Sequence, residues 1–432
     1  MEQAPASSLL NAGVTPREVW AWALYDFANS GYTTVVITAV FNAYFVSVIA
    51  GGAPWATLAW TLALSVSYLL IVLTAPLLGA YADARAAKKP LLAVATLGCV
   101  VFTALLSLVG PGSLVPAVLF LVLSNFFYGT GENLIAAFLP ELARPRAVGR
   151  VSAWGWGLGY LGGLVSLALC LAYIGWAQAQ GQPPAEVVPV TLLITAGLYG
   201  LAALPTFLFL RERARPATAS AGAPQHAFRR LLRTLQEARR FRDLFRFLLC
   251  TLFYQAGIQA VIALAAIYAQ QAMGFSVRQT IELIFVVNIT AAVGALLFGG
   301  LQDRIGHVAA VALTLVGWLL MIVLAYAARG PLLFWLAANI AGLCMGASQS
   351  AGRALVGLLS PASRRAEFFG LWGFAVKLSA VFGPLTYGVG TWLTGGDHRL
   401  AMLVVGAYFV IGLVILAGVR VHRGRHAALR AG

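Results

Sequence analysis

Twelve runs of about twenty or more mostly apolar residues follow one another along this chain. A helix needs a run of that length to cross the roughly 30 Å hydrocarbon core of a bilayer. The approximate limits are 20–48, 56–82, 90–110, 114–140, 150–176 and 188–210 in the first half, and 244–271, 279–301, 307–328, 331–358, 366–394 and 400–420 in the second. Composition agrees: 60% of the residues are hydrophobic and 10% are charged, where a soluble protein carries about a quarter charged. The expected fold is all-α, a polytopic membrane protein. Several runs exceed 25 residues, so tilt or extension beyond the bilayer is expected.

The runs carry an internal duplication. The loop after the second run reads Gly79-Ala-Tyr-Ala-Asp83-Ala-Arg85, followed by Lys88 and Lys89; the loop after the eighth reads Gly299-Gly-Leu-Gln-Asp303-Arg304-Ile-Gly306-His307. The glycines and the acids of the two loops are each 220 residues apart. A second echo follows at an offset of 221, from Pro140 to Pro361 and from Gly149 to Gly370. Parallel repeats of six spans define transporters in which two bundles rock about a central site. The expected domains are a segment 1–19, a six-helix bundle 20–210, a basic linker 211–243, a second six-helix bundle 244–420 and a basic tail 421–432, the two bundles being pseudo-symmetric.

The net charge of +15 would suit a nucleic-acid partner, but its distribution is that of membrane topology. Of the 29 Lys and Arg residues, Arg278, Arg329 and Arg399 fall on one side, Arg353 and Lys377 fall within spans, and the other 24 fall on the opposite side. The positive-inside rule then places both termini in the cytoplasm, with a bacterial inner membrane as the expected location and no nucleic acid as partner. Residues 1–19 lack the apolar core of a signal peptide. In the linker, Phe228, Leu231, Leu232, Leu235 and Phe241 sit among arginines at roughly helical spacing. This segment is either an amphipathic helix on anionic lipid or a solvated connection. Cys99, Cys170, Cys250 and Cys344 lie inside apolar runs with no metal-ligand spacing and read as small hydrophobes. No cofactor or metal is expected, and no enzyme: no histidine or cysteine arrangement supplies a nucleophile or metal centre. A monomer is expected.

The two loop motifs resemble the signature loop of the major facilitator superfamily. Trp22-Ala-Leu-Tyr25-Asp26-Phe27-Ala28-Asn29-Ser30, Gly149-Arg150-Val-Ser152, Gly159-Tyr-Leu-Gly-Gly163, Gln349 with Arg353, Ala366-Glu367-Phe368-Phe369-Gly370, Lys377 and Gly383-Pro384 resemble the vacuole effluxer-like family, whose fungal members are thought to export amino acids from the vacuole. The resemblance runs from span one to span eleven. It implies alternating-access transport of an amino acid or similar zwitterion, with export favoured. A lysolipid, peptide or cell-wall-fragment transporter is the alternative, and an intramembrane enzyme is a weaker one from another class. One departure stands out. Where the family tends to carry Tyr-x-Asp-Gly in span seven, this chain has Tyr254-Gln255-Ala256-Gly257.

Charges buried in a bilayer are costly and usually face a cavity or a partner. Asp26 lies in span one with Asn29 and Thr33 on the same helical face; it either takes up a proton or a cationic group, or pairs with an arginine at the interface. Glu132 in span four suits proton coupling, or a fixed ion pair. Lys377 near mid-span eleven can grip a carboxylate, or bridge to Asp26 or Glu132. Arg353 in span ten, with Gln349 one turn before it, can bind a carboxylate bidentately, or snorkel to the interface. Tyr254, Gln255 and Gln259 make span seven polar. Trp154, Trp156 and Tyr160 line a cavity or anchor span five at the interface, and Glu282 is expected to be solvated. Small solute, protons and lipid are the expected partners. Gly79, Asp83, Arg85, Gly299, Asp303 and Arg304 form an expected cytoplasmic gate, the glycines letting helices approach closely and the charges pairing across the gap.

Overall fold

The protein is seen in a computed structural model that describes residues 9–144, 147–213, 235–361 and 365–430. Twelve helices in it are long and apolar enough to cross a membrane. In chain order they are α1 (Pro16–Tyr32), α2 (Ala56–Arg85), α3 (Lys88–Leu105), α4 (Leu114–Ala136), α5 (Val148–Ala179) and α6 (Pro184–Phe209), then α7 (Arg242–Gln271), α8 (Val277–Ile305), α9 (His307–Ala327), α10 (Pro331–Leu359), α11 (Arg365–Leu393) and α12 (His398–Ala417). Helices satisfy their backbone groups internally, which lipid requires. Among the described residues the one strand-like pairing is an isolated bridge between Leu10 and Ala143. Loop chemistry sets the starts. Thr15 and Glu18 cap α1 reciprocally, Ser276 and Gln279 do the same for α8, and the Asp397 carboxylate accepts from the Arg399 and Leu400 amides ahead of α12.

Span one is irregular beyond Tyr32. It continues through a π-helical stretch, Thr33–Ala39, a single turn, Phe41–Tyr44, and a second π-helical stretch, Phe45–Ile49. The Thr33 hydroxyl donates back to the Asn29 and Ser30 carbonyls, and Asn42 Nδ2 donates to Thr38 O at 3.0 Å. Side chains thus take up carbonyls that the widened turns leave displaced.

The chain divides into two compact units. One comprises Met1–Gly51 and Leu70–Ala227, the other Gly52–Leu69 and Phe228–Gly432. In the first unit α1 packs on a glycine edge of α5. A Cβ at Gly159 would lie 2.9 Å from Ser30 Oγ, one at Gly163 2.9 Å from Thr34 Oγ1, and one at Gly162 would overlap the Phe27 carbonyl. Only glycine allows this approach of backbones. In the second unit, Gly342 and Gly346 of α10 fit against Val287, Thr290 and Ala291 of α8, and Gly383 of α11 fits against the Ala256 carbonyl of α7. The first half of α2 packs in this unit too: Ser65 Oγ donates to Val381 O at 2.7 Å, and Thr61 occupies the space a Cβ of Gly388 would need.

Each unit is closed by an arginine following its last helix. Arg213, after α6, grips the buried Glu18 carboxylate of α1 through both terminal nitrogens, at 2.7 and 2.9 Å. Arg423, after α12, grips the buried Asp243 carboxylate of α7 at 2.7 Å through Nε and Nη2, and the Arg420 amide adds a third donor. The carboxylates hold both guanidiniums above the ordinary arginine range. Arg423 belongs to a further helix, α13 (Val421–Arg430), so this part of the expected basic tail is ordered against the second unit. The expected amphipathic segment over 228–242 falls largely outside the described residues. All four cysteines are free and buried.

Candidate functional site

Among the described residues, four charged side chains lie more than five residues from either end of a span: Asp26 and Glu132 in the first unit, Arg353 and Lys377 in the second. The first unit carries the anions and the second the cations.

In the first unit Asp26 is half-buried on α1 and faces α5, where Gly155 leaves room for its carboxylate. Asn29, one turn further, is 5% exposed. Its Oδ1 accepts from the Tyr199 hydroxyl of α6 at 2.9 Å. Tyr25 joins the same cluster through Thr96 Oγ1 at 2.8 Å and Tyr199 at 3.3 Å. Asn29 Oδ1 is therefore engaged in the interior of the unit, while its Nδ2 has no hydrogen-bond partner among the described residues. Tyr32 stacks on Tyr128 with ring centroids 4.9 Å apart and meets Ser124 Oγ at 2.9 Å. Glu132 is half-buried on α4. Gly131 beside it leaves space for the Tyr25 hydroxyl, 2.5 Å from where a Cβ would stand. Trp156 is 43% exposed and packs beside Tyr160, with centroids 6.2 Å apart.

In the second unit α7, α10 and α11 bring the expected residues together. Gln255 Nε2 donates to Gln349 Oε1 at 3.4 Å. Arg353, one turn beyond Gln349 on α10, holds its guanidinium 5.6 Å from the ring of Trp372 on α11, a cation–π geometry. Tyr254 and Gln255 are fully buried. Lys377 is half-buried further along α11. Glu282 pairs with Arg278 at 2.9 Å on the exposed face of α8. Trp372 carries no signal in the sequence that separates it from an interfacial anchor, because it stands near one end of its span.

The gate residues divide. The side chains of Asp83, Gly299 and Asp303 lie outside those described. Arg85 folds back onto Tyr81, donating to its hydroxyl at 2.8 Å, and Arg304 is exposed. Lys88 and Lys89 are held inside the first unit. Lys88 Nζ meets Glu141 Oε1 at 2.9 Å, the Lys88 and Lys89 amides donate to Glu212 at 2.8 and 3.1 Å, and Lys89 Nζ donates to Leu210 O. Close approach of helices is not the role of Gly79: a Cβ there would meet nothing within 4 Å. Gly79 instead borders a cavity of about 130 Å³ whose lining includes Lys88, Thr130 and Asn133. Spacing alone does not separate a glycine that admits a neighbour from one beside open space.

Twelve membrane-spanning helices and two units, each closed from its first helix to its last, are the architecture of a transporter of the major facilitator type. The fold is that of solved transporters. The nucleoside transporter NupG superposes with a TM-score of 0.70 over 94% of this chain and 99% of its own at 14% identity, and a D-xylose-proton symporter with 0.68 over 93% and 97%, also at 14% identity. The chain belongs to the vacuole effluxer Atg22-like family, whose pattern matches residues 52–429. It is 29% identical to the uncharacterized MFS-type transporter YxiO of Bacillus subtilis (strain 168), over 92% of this chain and 93% of that protein. It is 25% identical to autophagy-related protein 22-1 of Aspergillus fumigatus, over 70% of this chain and 54% of that protein. The chain spans about half the length of this fungal relative. It is an integral membrane transporter of a small molecule, and neither its family nor its fold is that of an enzyme.

Proposed function

We propose that this protein exports amino acids or closely similar zwitterions by alternating access, from a cytoplasm in which both its termini lie. The observation that carries the reading is the segregation of deep charge, with carboxyls in the spans of the first unit and cations in the spans of the second. These carboxyls and cations offer counter-charges for the two groups of a zwitterion, and a solute that binds one conformation better than another drives an alternating-access cycle. Asp26 and Glu132 are the groups through which a proton gradient would act, and Lys377 and Arg353 those that take the carboxylate. The bias of Lys and Arg supports the orientation, a bacterial plasma membrane is the fitting location, and a monomer suffices for the cycle.

The reading is tested with purified protein in liposomes loaded with labelled amino acids. Efflux should be measurable, and Lys377→Gln should reduce it at least tenfold while leaving the amount of folded protein unchanged. Imposing an inward proton gradient should accelerate efflux by the wild type and not by a Glu132→Gln, Asp26→Asn double variant. Stabilisation by sugars or lysolipids and by no amino acid in a thermal-shift screen would overturn the substrate class.

A further inference from the structure

Among the buried polar atoms of the second unit without a hydrogen-bond partner among the described residues are Tyr254 Oη, Gln255 Oε1 and Trp372 Nε1. They lie together. Tyr254 and Gln255 are neighbours on α7, both 0% exposed. The Thr251 and Gln255 side chains and the Trp372 indole of α11 all approach the Tyr254 hydroxyl without reaching hydrogen-bond geometry, and the indole ring lies against the Arg353 guanidinium. From α10, Gly352 leaves the Tyr254 hydroxyl its space, 2.6 Å from where a Cβ would stand, while Gln349 takes one end of the Gln255 amide. Buried polar atoms are nearly always paired. Three open ones side by side, next to a guanidinium, form a recognition edge.

The edge has a definite polarity. An indole N–H only donates, an amide oxygen only accepts, and a phenol does either. Donors therefore stand at the Trp372–Arg353 end and an acceptor at the Gln255 end. The nearest acid on α7, Asp243, is about three turns away and bound by Arg423. Ala256 fills the next position and is itself buried.

We infer that this edge reads the two groups common to all amino acids, Trp372 and Arg353 taking the α-carboxylate and the neutral Gln255 carbonyl taking the α-ammonium. The inference rests on the amino-acid reading above and deepens it: the second unit selects for the backbone of the solute and leaves the side chain to other contacts. Trp372 becomes a specificity-determining residue. The edge is sealed in this conformation, so it is reached only when α7, α10 and α11 loosen. Pairing with the solute then favours the loosened form, because it gives the otherwise open Trp372 Nε1 and Gln255 Oε1 their partners.

The experiment uses the full-length protein in proteoliposomes, assayed with each of the twenty amino acids. The best substrate is then competed with its own decarboxylated amine and its own deaminated acid. Trp372→Phe keeps a ring against Arg353 and removes the donor. It should raise KM about tenfold with kcat held, weaken competition by the acid to the same extent, and leave competition by the amine unchanged. Gln255→Leu should do the reverse, weakening the amine and sparing the acid. Equal KM values for Trp372→Phe and wild type, or losses shared equally by amine and acid in both variants, would overturn the inference while amino-acid transport stands. A wild type that carries no amino acid, yet moves another solute, would overturn the functional reading instead. Size-exclusion profiles and melting temperatures matching wild type keep both variants interpretable as transporters.

Discussion

Gly79 and Gly346 are both helical glycines, yet alanine should move them in opposite directions. At Gly79 a Cβ meets open space, so Gly79→Ala should gain about 0.5–1 kcal/mol from helix propensity. At Gly346 a Cβ would overlap the Ala291 carbonyl and come within 2.7 Å of the Ala295 amide. Gly346→Ala should cost about 2 kcal/mol or more, since backbone must shift to make room. Melting curves in one detergent check both signs. The placement of single residues was legible where they lie deep in a span: Asp26, Glu132, Arg353 and Lys377 are all half-buried within spans. It was not legible where it depends on what stands opposite. Asn29 shares a helical face with Asp26, but Tyr199, whose hydroxyl donates to its Oδ1, lies 170 residues away. Trp372 gains its meaning from Arg353 on a different helix.

The clamps are the device of the elements. Glu18 and Arg213 are 195 residues apart, Asp243 and Arg423 180 apart, and nothing in a run of apolar residues announces either pair. Their logic appears only when the first and last helices of a unit are seen side by side. A bidentate arginine on a buried carboxylate binds strongly, and removing one partner leaves the other charge uncompensated. Arg213→Ala should therefore destabilise the first unit by about 2 kcal/mol, a value scaled down because the guanidinium is partly exposed. The double variant with Glu18→Gln should cost less than the two single changes added together, as melting temperatures of the three variants would show. Lys88 and Lys89 belong to this scale as well. Their contacts with Glu141 and Glu212 fasten the start of α3 to the turn after α4 and to the exit of α6. Exchange of Lys88 for Gln should thus lower the melting temperature and not merely alter transport.

At the scale of the molecule, twelve spans were legible because lipid admits so few alternatives, and the duplication was legible because two loop patterns share an offset. The allocation of α2 was not, since hydropathy counts residues without naming their neighbours. Residues Gly52–Leu69 pack in the second unit, so a chain cut within 214–234 yields a first fragment whose Thr61 and Ser65 face lacks its partners. That fragment expressed alone should aggregate in detergent, and co-expression with the second fragment should restore a monodisperse complex. A monodisperse first fragment would contradict this packing. The same arrangement sets an order of assembly. Ser65 is synthesised 316 residues before the Val381 carbonyl it bonds, so the ribosome completes nearly the whole chain before the first half of α2 can settle. An early helix that must wait for a late one is where a nascent membrane protein is most open to quality control. Folding defects should therefore gather around Trp60, Thr61 and Ser65 sooner than their modest chemistry suggests.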